Sequence, residues 1–166
     1  MSIAIPSERS ILADQLERSF RGGAWHGPSL LEILNGLAPS EACSHSAPNF
    51  HSILEIVEHL DYWFEDTRRR LDGEAPDLNR QDRSWGRQHA DAKADWETAL
   101  EALEAAHRSL KEALLRLPEE GLGTLPPGSE TDVRSLVLGT LQHSAYHAGQ
   151  IQLLRRLAEA QNGSPA

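Results

Sequence analysis

The feature that most limits this chain is a spacing of apolar residues by three and four, sustained over four long segments. No stretch replaces it with the alternation that a half-buried strand requires. Ile53, Ile56, Val57, Leu60, Trp63, Phe64 and Leu71 follow the helical spacing. Ser52 followed by Glu55 is a capping-box pattern at the head of that run, and Asp72-Gly73 closes it. Residues 7–21 carry a stripe of Ile11, Leu12, Leu16 and Phe20, stopped by Gly22-Gly23. Residues 91–117 are rich in Ala, Leu and Glu and end at Pro118. Residues 131–161 form the last run, capped by Thr131 or Ser129 and ending before Asn162-Gly163.

A shorter helix is expected over 28–37, where Pro28 suits the first turn and Leu30, Leu31, Ile33, Leu34 and Leu37 the buried side. Residues 38–49, 74–89 and 121–130 read as connections. Four long amphipathic helices can bury their stripes only against one another, so the expectation is an all-α four-helix bundle with one extra short helix. With 166 residues the chain suits a single domain over 1–166, with an ordered core over about 7–161 and a frayed tail from Asn162.

Charge and composition exclude several classes. The formal net charge is −9, and protonating all eight histidines would leave the chain acidic. Such a chain lacks the field that attracts a phosphate backbone, so no nucleic-acid partner is expected. Arg68, Arg69 and Arg70 form the densest basic group, and in the last turn of a helix they answer its negative dipole end. Cys43 is the single cysteine, which rules out an internal disulfide and leaves a bystander thiol with only His45 as a basic neighbour. No basic start followed by a long apolar run is present and no segment approaches the length of a membrane span, so the expected location is cytoplasmic, with no membrane partner.

The chemistry concentrates near the C-terminal end. Val133, Leu136, Val137, Thr140, Ile151 and Leu154 fall on one stripe of the last helix, with His147 near its middle and His143 at its edge. Their i, i+4 spacing puts both imidazoles on one side, one turn apart, which is how a helix offers two nitrogens to one metal. Structural hydrogen bonds could satisfy the same ring nitrogens, so spacing alone leaves both readings open. His59 sits at the border of an earlier buried stripe, where a lone histidine is usually a satisfied boundary residue. His45 and His51 belong to a loop or its edge, and His89 and His107 to polar surroundings. His26, beside Trp25 in a connection, is left open.

Three stretches together resemble the DinB/YfiT-like family of metal-dependent enzymes. They are residues 24–34, with Trp25-His26-Gly27-Pro28; residues 52–63, with Ser52, His59 and Trp63; and residues 142–151, with His143, Tyr146, His147 and Gln150. Their order and spacing span about residues 8–158. One departure is Leu54, where many members carry Trp; it touches packing rather than ligands. The resemblance implies a four-helix bundle, often a homodimer, with a divalent metal held by three histidines: here His59, His143 and His147.

Three imidazoles suit Zn or Ni, with Mn or Fe as further candidates. A closed structural site normally uses four protein ligands, so three point to an open, catalytic position. The expected function is an enzyme acting on a small molecule, either a hydrolase using activated water or a transferase using an external low-molecular-weight thiol. A non-enzymatic, metal-stabilised ligand-binding or stress-response bundle is the alternative. Gln150 is expected to orient a ligand or substrate, Trp63 to wall the pocket, and His26 to stand near it; no catalytic residue is assigned.

Overall fold

The structure is a computed structural model that describes residues 6–76, 84, 85, 89–161 and 163. Most of the connection expected over 74–89, and the tail expected from 162 apart from Gly163, lie outside these residues. Among the described residues every regular element is a helix: α1 (Glu8–Arg21), α2 (Leu30–Leu34), α3 (Pro39–Cys43), α4 (Ile53–Leu71), α5 (Ala92–Arg116) and α6 (Val133–Gln161), with a 3-10 segment at Glu119–Gly123. No helix among them is long and apolar enough to cross a membrane.

The long helices form the expected bundle. α4 packs on α5 and α6, and α1 packs on the same two, so α1 and α4 occupy opposite corners. Phe20 and Phe64 reach across the centre from those corners, edge to face at 6.0 Å. Leu54, at the position of the departure, is fully buried in the core, so an aliphatic side chain fills that volume.

The local start and stop signals act largely as the spacing predicts. Ser52 Oγ accepts the Glu55 N–H while the Glu55 side chain accepts the Ser52 N–H at 2.8 Å, so the capping box that opens α4 is closed on both sides. A second box, Ser29 with Glu32, opens α2 and shortens it to Leu30–Leu34, within the 28–37 expected. The carbonyls of Ile33 and Asn35 at its far end accept from Arg155 Nη1 of α6 at 2.8 and 2.9 Å, which supplies donors to orphan acceptors.

Three expectations are corrected. The 38–49 loop contains a short helix, α3, because Pro39 presets its first turn and Glu41 accepts the Ala38 N–H. The cap of α6 is Asp132 rather than Thr131 or Ser129: its carboxylate accepts the Ser135 N–H at 2.8 Å and its carbonyl the Leu136 N–H at 2.9 Å. His107 does not lie in polar surroundings. It is 1% exposed, stacks on Phe20 at 3.9 Å, and shares its Nε2 proton with the Leu16 carbonyl at 3.1 Å. Burial holds its pKa below the ordinary histidine value.

Candidate metal centre

The core becomes polar where α4 meets the middle of α6. The buried face of α6 runs Val133, Val137, Thr140, Ser144, His147, Ala148, Ile151, Leu154, so Thr140, Ser144 and His147 occupy positions that elsewhere carry aliphatic groups. Opposite them α4 presents His59, three residues beyond Ile56, and Thr67. His59 and His147 are each 5% exposed, and His143 lies half-buried at the rim.

Three ring nitrogens converge there. His143 Nε2 lies 2.9 Å from His147 Nε2 and 3.2 Å from His59 Nε2. Nitrogens bound to one ion at 2.0–2.1 Å stand about 2.9–3.4 Å apart for angles between square and tetrahedral, so the spacing fits a shared ion. Among the described residues these three form the one group of His, Cys, Asp or Glu side chains that could hold a metal.

Proton accounting sharpens the fit. His147 Nδ1 is 2.6 Å from Gln150 Oε1, an acceptor, so the ring proton resides on Nδ1 and Nε2 presents a lone pair. Gln150 is held in turn by its amide donation to the Tyr146 hydroxyl at 2.9 Å. The Trp63 indole N–H donates to His59 Nε2 at 3.1 Å, so that nitrogen also carries a lone pair. Both lone pairs face His143 Nε2, which has at most one proton to give. The three imidazoles alone cannot fill both lone pairs; the Trp63 indole supplies the second proton, whereas a cation at their centre would take all three Nε2 nitrogens at once, displacing the indole from His59.

The rings are held neutral. Burial, then the neighbouring His147 and His143, lowers the His59 pKa to about 3, with the Ser84 backbone opposing. Burial and His147 lower His143 to about 4. Burial lowers His147 as well, against the Gln150 hydrogen bond. Neutral imidazole is the form that ligates, so the set is ready near pH 7 without losing protons.

Two tryptophans wall the centre. Trp63 stands one turn along α4 from His59 and meets His143 edge-on at 5.7 Å. Trp85 stacks on His59 at 3.8 Å and, on its other face, on His51 at 3.7 Å. Sequence reasoning missed Trp85 and set His51 aside; a lone large aromatic within the polar 74–89 stretch was the available signal. His51 and His45 both reach Glu55, at 3.4 and 3.2 Å. His26 is exposed in the turn between α1 and α2 and is not among the rings that meet. The Cys43 thiol contacts the Ala92 carbonyl at 3.7 Å, and burial with nearby Asp95 and Glu58 raises its pKa, so it is no activated nucleophile.

Cavities open on both sides. One of about 280 Å³ is lined by His51, Ile56, Gln150, Leu153 and Leu154 among others. Another of about 320 Å³ runs between α4 and α6 from His143 to Arg70.

A sequence model of the DinB superfamily matches residues 24–151, a span that contains all three histidines. No curated protein and no solved structure matches the chain.

Proposed function

We propose that this chain, which belongs to the DinB superfamily, is a metal-dependent enzyme that acts on a small molecule, with Nε2 of His59, His143 and His147 as the protein ligands. The observation that carries the reading is the convergence of these three nitrogens, with His143 Nε2 at 2.9 and 3.2 Å from the other two, on the buried faces of two helices. Zn and Ni are the first candidates for three imidazoles, with Mn and Fe behind them. A divalent ion with three protein ligands keeps a coordination position open and supplies Lewis-acid chemistry there.

The chain's own residues do the rest. Gln150, anchored by Tyr146, fixes the tautomer and orientation of His147. Trp85 clamps the His59 ring and shields it from water. The nucleophile comes from outside the chain, since Cys43 is held as a thiol elsewhere: water in a hydrolase, or a low-molecular-weight thiol in a transferase. Elemental analysis of the wild type, His143→Ala and His147→Ala proteins tests the centre. About one ion per chain in the wild type and a loss of stoichiometric metal in both variants is expected; full occupancy in both would refute it. A thiol-dependence assay on a panel of electrophiles then separates the two reactions. A protein that binds and is stabilised by metal but responds in neither assay would be a ligand-binding bundle instead.

The outward face of α6 exposes Leu138, Tyr146, Leu153 and Leu157 at helical spacing. We propose that a second copy of the chain covers this stripe as a homodimer.

A further inference from the structure

The groove between α4 and α6 has two polar ends and an apolar middle. His143 and Trp63 stand at one end, Arg70 at the other, with Leu136, Gly139, Thr67 and Thr140 between. Trp63 and Arg70 are seven residues apart on α4, so the ends are separated by about 10 Å. The hydroxyls in the middle make no demand on an occupant. Thr140 Oγ1 donates to the Leu136 carbonyl at 2.9 Å and accepts from Thr67 Oγ1 at 2.8 Å.

Arg70 differs from the arginines beside it. Arg68 pairs with Glu65 and Asp72 at the surface, and Arg69 with Glu74. Arg70 turns inward until its side chain is 15% exposed. One Nη donates to Ser129 Oγ at 2.8 Å. The other lies 3.7 Å from the Asp66 carboxylate, beyond hydrogen-bond distance. Nε is buried with no hydrogen-bond partner. Nε is thus sealed from an occupant of the groove, but the Nη beside Asp66 has that carboxylate only at ion-pair distance, and a carboxylate in the groove is a complement to this edge of the guanidinium.

Gly139 adds a second observation. It lies inside α6, where Ala would favour the helix, yet a Cβ there would meet nothing within 4 Å. Packing does not account for the missing side chain, and its effect is to leave the wall of the groove low.

We infer that the groove is the substrate channel and that the substrate is a small monocarboxylate, with its reacting group toward His143 and its carboxylate on Arg70. This rests on the metal-centre reading for the reacting end alone. Asp66 weighs on the choice of anion: with its carboxylate 3.7 Å from the guanidinium, a singly charged carboxylate meets less repulsion there than a dianionic phosphate.

The test uses monohydroxamates of linear dicarboxylic acids, whose hydroxamate seeks the metal, with roughly four to eight methylenes to bracket the 10 Å span. Each is compared with its ω-amide and ω-phosphonate by calorimetry on zinc-loaded protein. The wild type is expected to prefer one chain length as the acid over the amide by at least about tenfold, and the acid over the phosphonate. Arg70→Leu equalises acid and amide, Arg70→Lys retains part of the preference, and Gly139→Leu weakens every member while zinc stoichiometry stays intact. Equal binding of acid and amide by the wild type, or a preference that survives in a folded Arg70→Leu protein, would overturn the proposal. Alkanoate and alkanamide pairs are measured on metal-free protein in parallel. If zinc does not bind, an Arg70-dependent alkanoate preference still supports the carboxylate site while the metal reading fails. Zinc binding without any acid preference does the reverse.

Discussion

Trp63→Phe separates the metal centre from a merely hydrogen-bonded histidine cluster, because only the first reading gives a gain in metal affinity. The indole N–H occupies the His59 Nε2 lone pair at 3.1 Å. An ion that takes this lone pair must first displace that donor. A neutral hydrogen bond contributes about 0.5–1.5 kcal/mol net. Removing it therefore tightens metal binding about two- to twelvefold, at about 1.4 kcal/mol per tenfold. Phenylalanine keeps an aromatic edge toward His143, where the indole packs at 5.7 Å, and toward Tyr62 at 5.4 Å. Some of that packing is lost, at roughly 0.5–1.5 kcal/mol per aromatic pair, and it lowers the stability of the metal-free protein. The variant should thus melt lower without metal and bind zinc more tightly, as read by competition with a chromophoric chelator. Wild-type tryptophan fluorescence should also change on metal addition, with the Trp63 part missing in the variant. A His59→Ala background supplies the control, since the gain from Trp63→Phe must vanish there. Unchanged or weaker affinity in a folded Trp63→Phe protein, or a gain that persists without His59, would refute the reasoning.

Two other outcomes follow from the packing. His107 has a folded pKa below its ordinary value of about 6.5, so the unfolded chain binds more protons as pH falls and stability declines below that pH. His59, His143 and His147 act in the same direction. His107→Phe, which keeps the stack on Phe20, should flatten the fall of melting temperature between about pH 6.5 and pH 5; an unaltered slope would mean that the buried ring is not titrating as its surroundings require. Leu153→Glu places a charge on the exposed α6 stripe. It should convert a dimer to a monomer by light scattering at micromolar concentration, and a wild type that is monomeric there would refute the dimer.

What was legible in the sequence divides along a physical line. Relations within one helix could be read in advance, because a helix fixes which side chains meet at three and four residues. His143 with His147, His147 with Gln150, and His59 with Trp63 are all of this kind. So are the α4 capping box and the apolar stripes that define the bundle. His107 was such a case and was still missed. It shares its buried face on α5 with Trp96, Leu103, Leu110 and Leu114, but Ala99, Ala106 and Ala113 interleave with these and blur the edge of the stripe.

Apart from the meeting of His59 with His143 and His147, which the resemblance supplied, relations between elements were not legible, and these shape the pocket. No local rule brings Trp85 onto His59, Thr67 against Thr140, or Ser129 onto the guanidinium of Arg70. Arg70 shows the consequence most clearly. As one of three arginines closing a helix it has a sufficient local explanation in the dipole, and Arg68 and Arg69 conform to it. Only the α6 wall, with its satisfied Thr140 and its open Gly139, turns the third arginine into the end of a channel whose other end is His143. The proposed ligand set is therefore written along two helices, whereas the proposed substrate channel is written across them. A family pattern anchored on helical spacing can accordingly persist while the substrate changes, and the residues to which the channel proposal assigns substrate choice here are Arg70, Asp66 and Gly139, none of them in the proposed ligand set.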